Sequence, residues 1–314
     1  MYWQTREILR RYNVVPDAQT LVVDLPRSNY LSGLLFHYEA TNGATAGLVT
    51  LPSFLSALGI IADGSTELFS MDGADALLAG YGLTRKVLPA NVAITAGTAV
   101  QFSGFIPFGR YLGDPNFYLD CSRYASLEAR ITFAPTVAAT GIATGSQYFT
   151  IYGIMAMESA PGPRQGTFKT SRKYRFTSAA SGDVVLDLPR GNFYRKLLIA
   201  DIGAGQVLST GYSRIALDVN NGEKILFAGD TKGLRKLIDV LSGEQLLVTD
   251  TVATGPLTTA QPPGAIGDIL TIPFDVGKDM MNCLNSAQFG AIKLTLSQAA
   301  ASHVTSVILQ EILS

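Results

Sequence analysis

One phrase occurs twice in this chain, and the repetition limits its possible folds more than any other feature. Residues 22–35 read V-V-D-L-P-R-S-N-Y-L-S-G-L-L, and residues 185–198 read V-L-D-L-P-R-G-N-F-Y-R-K-L-L. Val22, Asp24, Leu25, Pro26, Arg27, Asn29, Leu34 and Leu35 match Val185, Asp187, Leu188, Pro189, Arg190, Asn192, Leu197 and Leu198 without a gap. About one such match would arise by chance in a window of this length. Four weaker blocks keep the same order. Arg10-Arg11-Tyr12 aligns with Arg172-Lys173-Tyr174, and Ile106-Pro107-Phe108 with Ile272-Pro273-Phe274. Arg130 to Phe133 parallels Lys293 to Leu296, and Thr150 to Met155 loosely parallels Thr305 to Gln310. A unit repeated at half the chain length implies two copies of one domain, not a solenoid. The 314 residues are accordingly expected to divide into 1–160 and 161–314.

The local patterns predict β structure in both copies. Leu21 to Leu25 is a strand that Pro26 stops, because proline has no N–H for the ladder. Ala93 to Thr95, Val100 to Phe102, Ala129 to Phe133 and Tyr148 to Tyr152 are rich in β-branched and aromatic residues. Turn residues punctuate them, as in Thr41-Asn42-Gly43 and Asn220-Asn221-Gly222-Glu223. Helices are few. Leu234, Leu237, Ile238 and Leu241 have helical spacing, and Ser242-Gly243 ends that run. Leu51 to Ile61 is the expected counterpart in the first half. Met1, Thr5, Ile8, Leu9 and Tyr12 fall on one face at 100° per residue, which predicts an amphipathic helix at the N-terminus. About 150 residues accommodate an eight-stranded sandwich with one helix, and a jelly roll is the natural form. The expected fold is therefore all-β, with two tandem eight-stranded jelly-roll sandwiches and a few short helices.

Composition bears on partners. Charged residues make up 16% of the chain and apolar ones 47%, a balance that suggests much surface is buried against other subunits. The net charge of −1 gives no bulk attraction for nucleic acid. Cys121 and Cys283 fall at near-equivalent places in separate halves, which is neither a disulfide framework nor a metal site. Charges near the N-terminus, where a signal peptide needs an apolar run, predict assembly in a reducing cytoplasm. The uncharged stretches Ala40 to Ala62 and Ile131 to Met157 are long enough to span a membrane. Their glycines, Pro52 and Pro135 make them read as strands broken by turns.

No pattern points to catalysis or a cofactor. His37 and His303 are the only histidines, too few for a cupin-type metal centre. Gly203-Ala204-Gly205 lacks the remaining glycine of a dinucleotide loop, and Gly229 to Gly233 lacks the Gly-Lys-Ser/Thr ending of a P-loop. Asp72-Gly73-Ala74-Asp75 has too few oxygens for calcium and reads as a turn. The notable charge pattern is doubled. Arg6, Arg10 and Arg11 precede the first D-L-P-R phrase, while Arg164, Lys169, Arg172, Lys173 and Arg175 precede the second. The candidate contact residues are Trp3, Arg6, Ile8, Arg10, Arg11, Arg172, Lys173 and Arg175, placed on an inner face against lipid or a neighbouring subunit.

Two collinear sandwiches, few charges and no active site resemble the double jelly-roll major capsid proteins of tailless icosahedral viruses. That lineage joins adenovirus-type hexons and internal-membrane phages. The resemblance implies a non-enzymatic bacteriophage virion protein, a homotrimer whose six rolls imitate a hexagon and tile a shell. Its partners would be itself, minor capsid or penton proteins and internal membrane lipid, with no sequence-specific nucleic acid and no cofactor. The alternative is a tandem β-sandwich binding module, lectin-like or receptor-binding, using Tyr111, Phe117, Tyr118 and Tyr124 as a groove.

Overall fold

The computed structural model describes residues 2–15, 18–44, 54–84, 96–135, 141–143, 145, 147–158, 160–202, 206–242, 267–276 and 280–313. The strand expected at Ala93 to Thr95 and the Gly203-Ala204-Gly205 turn lie outside these residues. The chain divides into two compact units, with the division between Ser171 and Arg172.

The first unit contains β1 (Tyr2–Asn13), β2 (Gln19–Asp24), β3 (Tyr30–Thr41), β4 (Leu55–Ala62), β5 (Thr66–Met71), helix α1 (Gly73–Thr84), β6 (Ala99–Pro107), the short β7 (Leu119–Asp120), β8 (Leu127–Phe133) and β9 (Tyr148–Met157). Strand β10 (Thr167–Thr177) runs across the division, and the second unit continues with β11 (Gly182–Asp187), β12 (Phe193–Ile202), the short helix α2 (Leu208–Gly211), β13 (Tyr212–Val219), β14 (Lys224–Asp230), helix α3 (Thr231–Ser242), β15 (Gly267–Pro273), the short β16 (Leu284–Asn285), β17 (Ile292–Gln298) and β18 (Val304–Leu313). In the first unit the strand orders are β1-β9-β3-β6 and β2-β8-β4-β5. In the second they are β10-β18-β12-β15 and β11-β17-β13-β14. Counting only the eight long strands of each unit, both read 1-8-3-6 and 2-7-4-5, which is the jelly roll. Ahead of the division, Thr170 and Ser171 pair in parallel with Phe69 and Ser70 of β5.

Period-2 patterning explains the strands. In β8, Leu127, Ala129, Ile131 and Phe133 are buried and alternate with partly exposed Glu128, Arg130 and Thr132. In β17, Ile292, Leu294 and Leu296 are buried, while Lys293, Thr295 and Ser297 face outward. The Asn220-Asn221-Gly222 turn joins β13 to β14, with all three residues at positive φ (54°, 58° and 88°).

The repeated phrase does the same work in each unit. The Leu25 N–H donates to the Leu127 carbonyl at 2.8 Å, and the Leu188 N–H donates to Ile292 at 2.9 Å. Both leucine side chains are buried. The carbonyls of Asn29 and Asn192 accept from the N–H groups of Cys121 and Ser286. Arg27 and Arg190 each donate through Nη1 to a backbone carbonyl, of Ala125 and Phe289 respectively. One conserved turn thus ties the end of β2 to the start of β8, and the end of β11 to the start of β17.

The cores differ inside this common frame. Tyr38 of β3 is paired with Phe102 and Phe149, and its ring packs against both and against Phe133. The corresponding residue of β12 is Asp201, paired with Asp268 and Thr305. Elsewhere the second core is mainly aliphatic, with Leu197, Ile199, Ile215 and Leu309 fully buried.

Three expectations are corrected. The N-terminal segment is not a helix but strand β1, paired along β9 from Tyr2↔Met157 to Asn13↔Tyr148. Register shifts between Glu7 and Leu9 and between Leu9 and Tyr12 break strict alternation, so the apolar residues imitate helical spacing. A free helix of this length would be marginal, whereas β9 supplies a ladder. The second correction concerns Leu51 to Ile61. Its described part forms most of strand β4, and the helix matching α3 is α1. The third is that Asp72 to Asp75 is not a free turn but the start of α1, where the Asp72 side chain accepts from the Asp75 N–H at 3.0 Å. Helix α1 escaped detection because ten of its twelve residues are buried, leaving no polar stripe. It also contains Gly80, where a Cβ would lie 2.6 Å from the Phe105 carbonyl oxygen; only glycine lets the helix approach β6 this closely. No helix among the described residues is long and apolar enough to cross a membrane.

Candidate functional site

The first group of candidate residues lies along β1. Trp3 is half-buried beside the loop after β6, where a Cβ on Gly113 would sit 3.4 Å from its indole. Ile8 covers Gly153 of β9, where a Cβ would lie 2.8 Å from Ile8 Cδ1. These two side chains therefore pack within their own unit. Arg6 and Arg10 are exposed, and Arg10 approaches Glu7 only at 3.9 Å. Arg11 sits in a β-bulge at φ 37°. Its guanidinium lies 4.1 Å from the centroid of Tyr148 and 3.9 Å from Glu39. Glu39 meets His37 Nε2 at 3.1 Å, and His37 Nδ1 meets Ser103 at 2.8 Å. A polar relay thus crosses from β1 through β3 to β6 on the outer sheet face.

The second group lies on β10, the topological counterpart of β1. Arg172 is half-buried and Arg175 exposed. Lys173 is not a surface cation: its ammonium pairs with the nearly buried Glu311 at 2.8 Å. The other oxygen of Glu311 accepts from Asn192 Nδ2 of the repeated phrase. The basic segments are equivalent in topology, but Lys173 holds its own sandwich together.

The sequence reading missed two buried ion pairs that brace the loops after β6 and β15. Arg110 donates to both oxygens of Asp114, at 2.7 and 2.8 Å, and Asp114 is fully buried. Burial alone would raise the Asp114 carboxyl, but the Arg110 bond and the backbone N–H groups of Asn116 and Arg110 outweigh it and hold the group below its ordinary range. In the second unit Arg195 donates to Asp275 at 2.7 Å and to Gln310 at 2.7 Å, with all three residues buried. The four-residue spacing of Arg110 and Asp114 is visible in sequence; a pair 80 positions apart is not.

The groups usually examined for chemistry are engaged structurally. His303 Nδ1 meets Asp201 Oδ2 at 2.5 Å, and the His303 N–H donates to Ser178 Oγ. Burial pushes the Asp201 carboxyl above its ordinary range, although His303 pulls it down. Both cysteines are buried thiols outside any disulfide, and burial pushes the Cys121 thiol up to about 12. Among the described residues, no three of His, Cys, Asp and Glu converge as a metal site. Of the aromatics considered as a groove, Phe117 and Tyr118 are buried, with Phe117 stacked on Phe168; Tyr124 is half-buried and Tyr111 is exposed. They do not form a groove.

Two jelly rolls with one topology in a single chain define a double jelly-roll protein. No protein-family profile and no curated protein sequence matches the chain. Solved structures do match, over its whole length. The major capsid protein of Sulfolobus Turreted Icosahedral Virus aligns with TM-score 0.71 at 14% identity, covering 100% of this chain and 97% of that one. The major capsid protein P2 of bacteriophage PM2 aligns with TM-score 0.62 at 12% identity, covering 100% and 98%. The PBCV-1 virus capsid aligns with TM-score 0.63 at 9% identity, covering 100% and 95%. The likeness is one of fold: this chain has the double jelly-roll architecture of viral major capsid proteins.

Proposed function

We propose that this chain is the major capsid protein of an icosahedral virus, a structural subunit and not an enzyme. One observation carries the reading. Among the described residues, the strands from β1 to β18 form two rolls of identical strand order, and the chain aligns with capsid subunits over its length. Three such chains closing into a ring give six similar sandwiches, a pseudo-hexagon that tiles a shell. The partners are further copies of the chain, minor capsid or penton proteins at special positions, and internal membrane lipid. Sequence-specific nucleic acid binding is not among its roles. The chain would assemble in the host cytoplasm and reside in the virion, and the PM2 likeness favours a bacteriophage. Within this reading Arg6, Arg10 and Arg175, exposed on the first strand of each roll, are the contacts for anionic lipid or a neighbouring subunit. Mass measurement and electron microscopy of the purified protein test it. Trimers that assemble into closed shells support the reading, and a persistent monomer overturns it.

A further inference from the structure

One buried carboxyl group of the second roll holds an amine on one side and an amide on the other. Glu311 Oε2 lies 2.8 Å from Lys173 Nζ, and Glu311 Oε1 accepts from Asn192 Nδ2 at 3.0 Å. The three residues come from neighbouring parts of one sheet: Lys173 from β10, Glu311 from β18, and Asn192 from the turn that opens β12. Glu311 follows the core residues Val307 and Leu309 at the strand period, and its cross-strand partner Tyr194 is a core residue too. Its 2% exposure therefore arises within its own roll. The Asn192 backbone is fixed, since its carbonyl accepts from both the N–H and the hydroxyl of Ser286. Oε2 makes no aligned hydrogen bond, so the Lys173 contact is close without being a well-formed ion-pair bond.

The first unit lacks this arrangement. It keeps the asparagine of the repeated phrase as Asn29, but Arg11 stands where the second unit has Lys173. Met155 stands where the second unit has Glu311, because Leu31 pairs with Met155 as Tyr194 pairs with Glu311. The turn accounts for an asparagine in both units. It does not account for a primary amine and a carboxyl group brought to that amide in one unit only. Lysine can act as a nucleophile, whereas arginine stays protonated.

We propose that Lys173 and Asn192 join in an intramolecular isopeptide bond, with Glu311 as the residue that transfers the protons. Glu311 takes a proton from the Lys173 ammonium, which frees the nitrogen lone pair. Nζ then bonds to Cγ of Asn192, a swing within reach of the flexible four-carbon stem. Glu311 passes its proton to the leaving nitrogen and takes up the proton that Nζ sheds on becoming an amide. The Cγ–Nδ2 bond breaks with its electron pair on nitrogen, and ammonia departs, carrying that last proton as ammonium. No oxidant, metal or second substrate enters the reaction. Burial of the carboxyl group keeps water from competing with the amine. The product ties the first strand of the roll to the repeated turn, closing a covalent loop around β11.

The inference goes beyond the shell-subunit reading and does not depend on it. The test is intact-mass measurement of the full denatured chain, with tandem mass spectrometry of its tryptic peptides, for wild type, Lys173→Arg and Glu311→Gln. The wild type should be lighter than its sequence by one ammonia, about 17 Da, and should yield a branched peptide joining positions 173 and 192. Both variants should keep their full mass. Arginine retains the charge beside Glu311, so a merely structural ion pair survives Lys173→Arg and a covalent bond does not. A wild-type chain at full mass, with Lys173 and Asn192 in separate linear peptides, overturns the bond and leaves the shell reading intact. The same loss of ammonia in Lys173→Arg overturns it too, because the nitrogen then comes from another residue. The wild-type peptide map decides the matter even where a variant fails to fold.

Discussion

The guanidinium of Arg110 grips the fully buried carboxylate of Asp114 through two hydrogen bonds, and a third bond comes from the Arg110 backbone N–H. This pair fixes the loop that leaves β6, against which Trp3 of β1 rests. Removing the cation leaves a buried charge uncompensated. Arg110→Ala should therefore cost about 3–5 kcal/mol in chemical denaturation. The same pair sets an acid limit. Because the Asp114 carboxyl is held below its ordinary range, its stabilisation is complete above about pH 4 and is lost as pH falls through the lowered value.

Asp201 should act in the opposite sense. Burial raises its carboxyl above the ordinary range, so the folded state holds the proton more tightly than the unfolded chain. Its contribution is fully present below about pH 4 and declines as pH rises through the raised value. Thermal unfolding followed from pH 3 to pH 7 should show this decline in the wild type and not in Asp201→Asn. An identical slope in both proteins would refute the assignment.

Gly80→Ala separates propensity from packing. Alanine favours a helix by about 1 kcal/mol. Here its Cβ would press on the Phe105 carbonyl oxygen at 2.6 Å, and such overpacking costs about 1–3 kcal/mol. The substitution should lower the unfolding temperature; a rise would mean that α1 can shift away from β6 without loss.

The double variant Arg6→Glu, Arg10→Glu tests the proposed inner-face contacts. Both side chains are exposed, so stability should change by less than about 0.5 kcal/mol per site. Flotation with anionic vesicles should fall relative to the wild type, and unchanged flotation would assign these residues to solvent. Deleting residues 1–12 is no substitute, because it strips an edge strand from its sheet.

Much of the fold was legible in sequence because duplication is a global signal. The D-L-P-R phrases, the Ile-Pro-Phe blocks and the Arg130 and Lys293 strands all occupy equivalent topological positions. Helix α3 was legible because one side is wet. Helix α1 was not, because burial on nearly every side erases the period. The β1 segment misled because two bulges convert an alternating strand into apparent helical spacing. At the candidate site, the charge of Lys173 was visible but its partner was not. Glu311 lies 138 positions away, and only the pairing of the sheet brings the two within 2.8 Å.

A chain that carries one topology twice faces a hazard during folding, since equivalent strands could insert into the wrong roll. The divergent layer at Tyr38 and Asp201 guards against it. If β3 entered the second roll, Tyr38 would meet Asp268 and Thr305; if β12 entered the first, the Asp201 carboxylate would be stranded between Phe102 and Phe149. Burying that group without His303 is costly enough to reject the exchange. The aromatic layer and the polar layer therefore act as identity marks, which make each half a poor host for the other's strands.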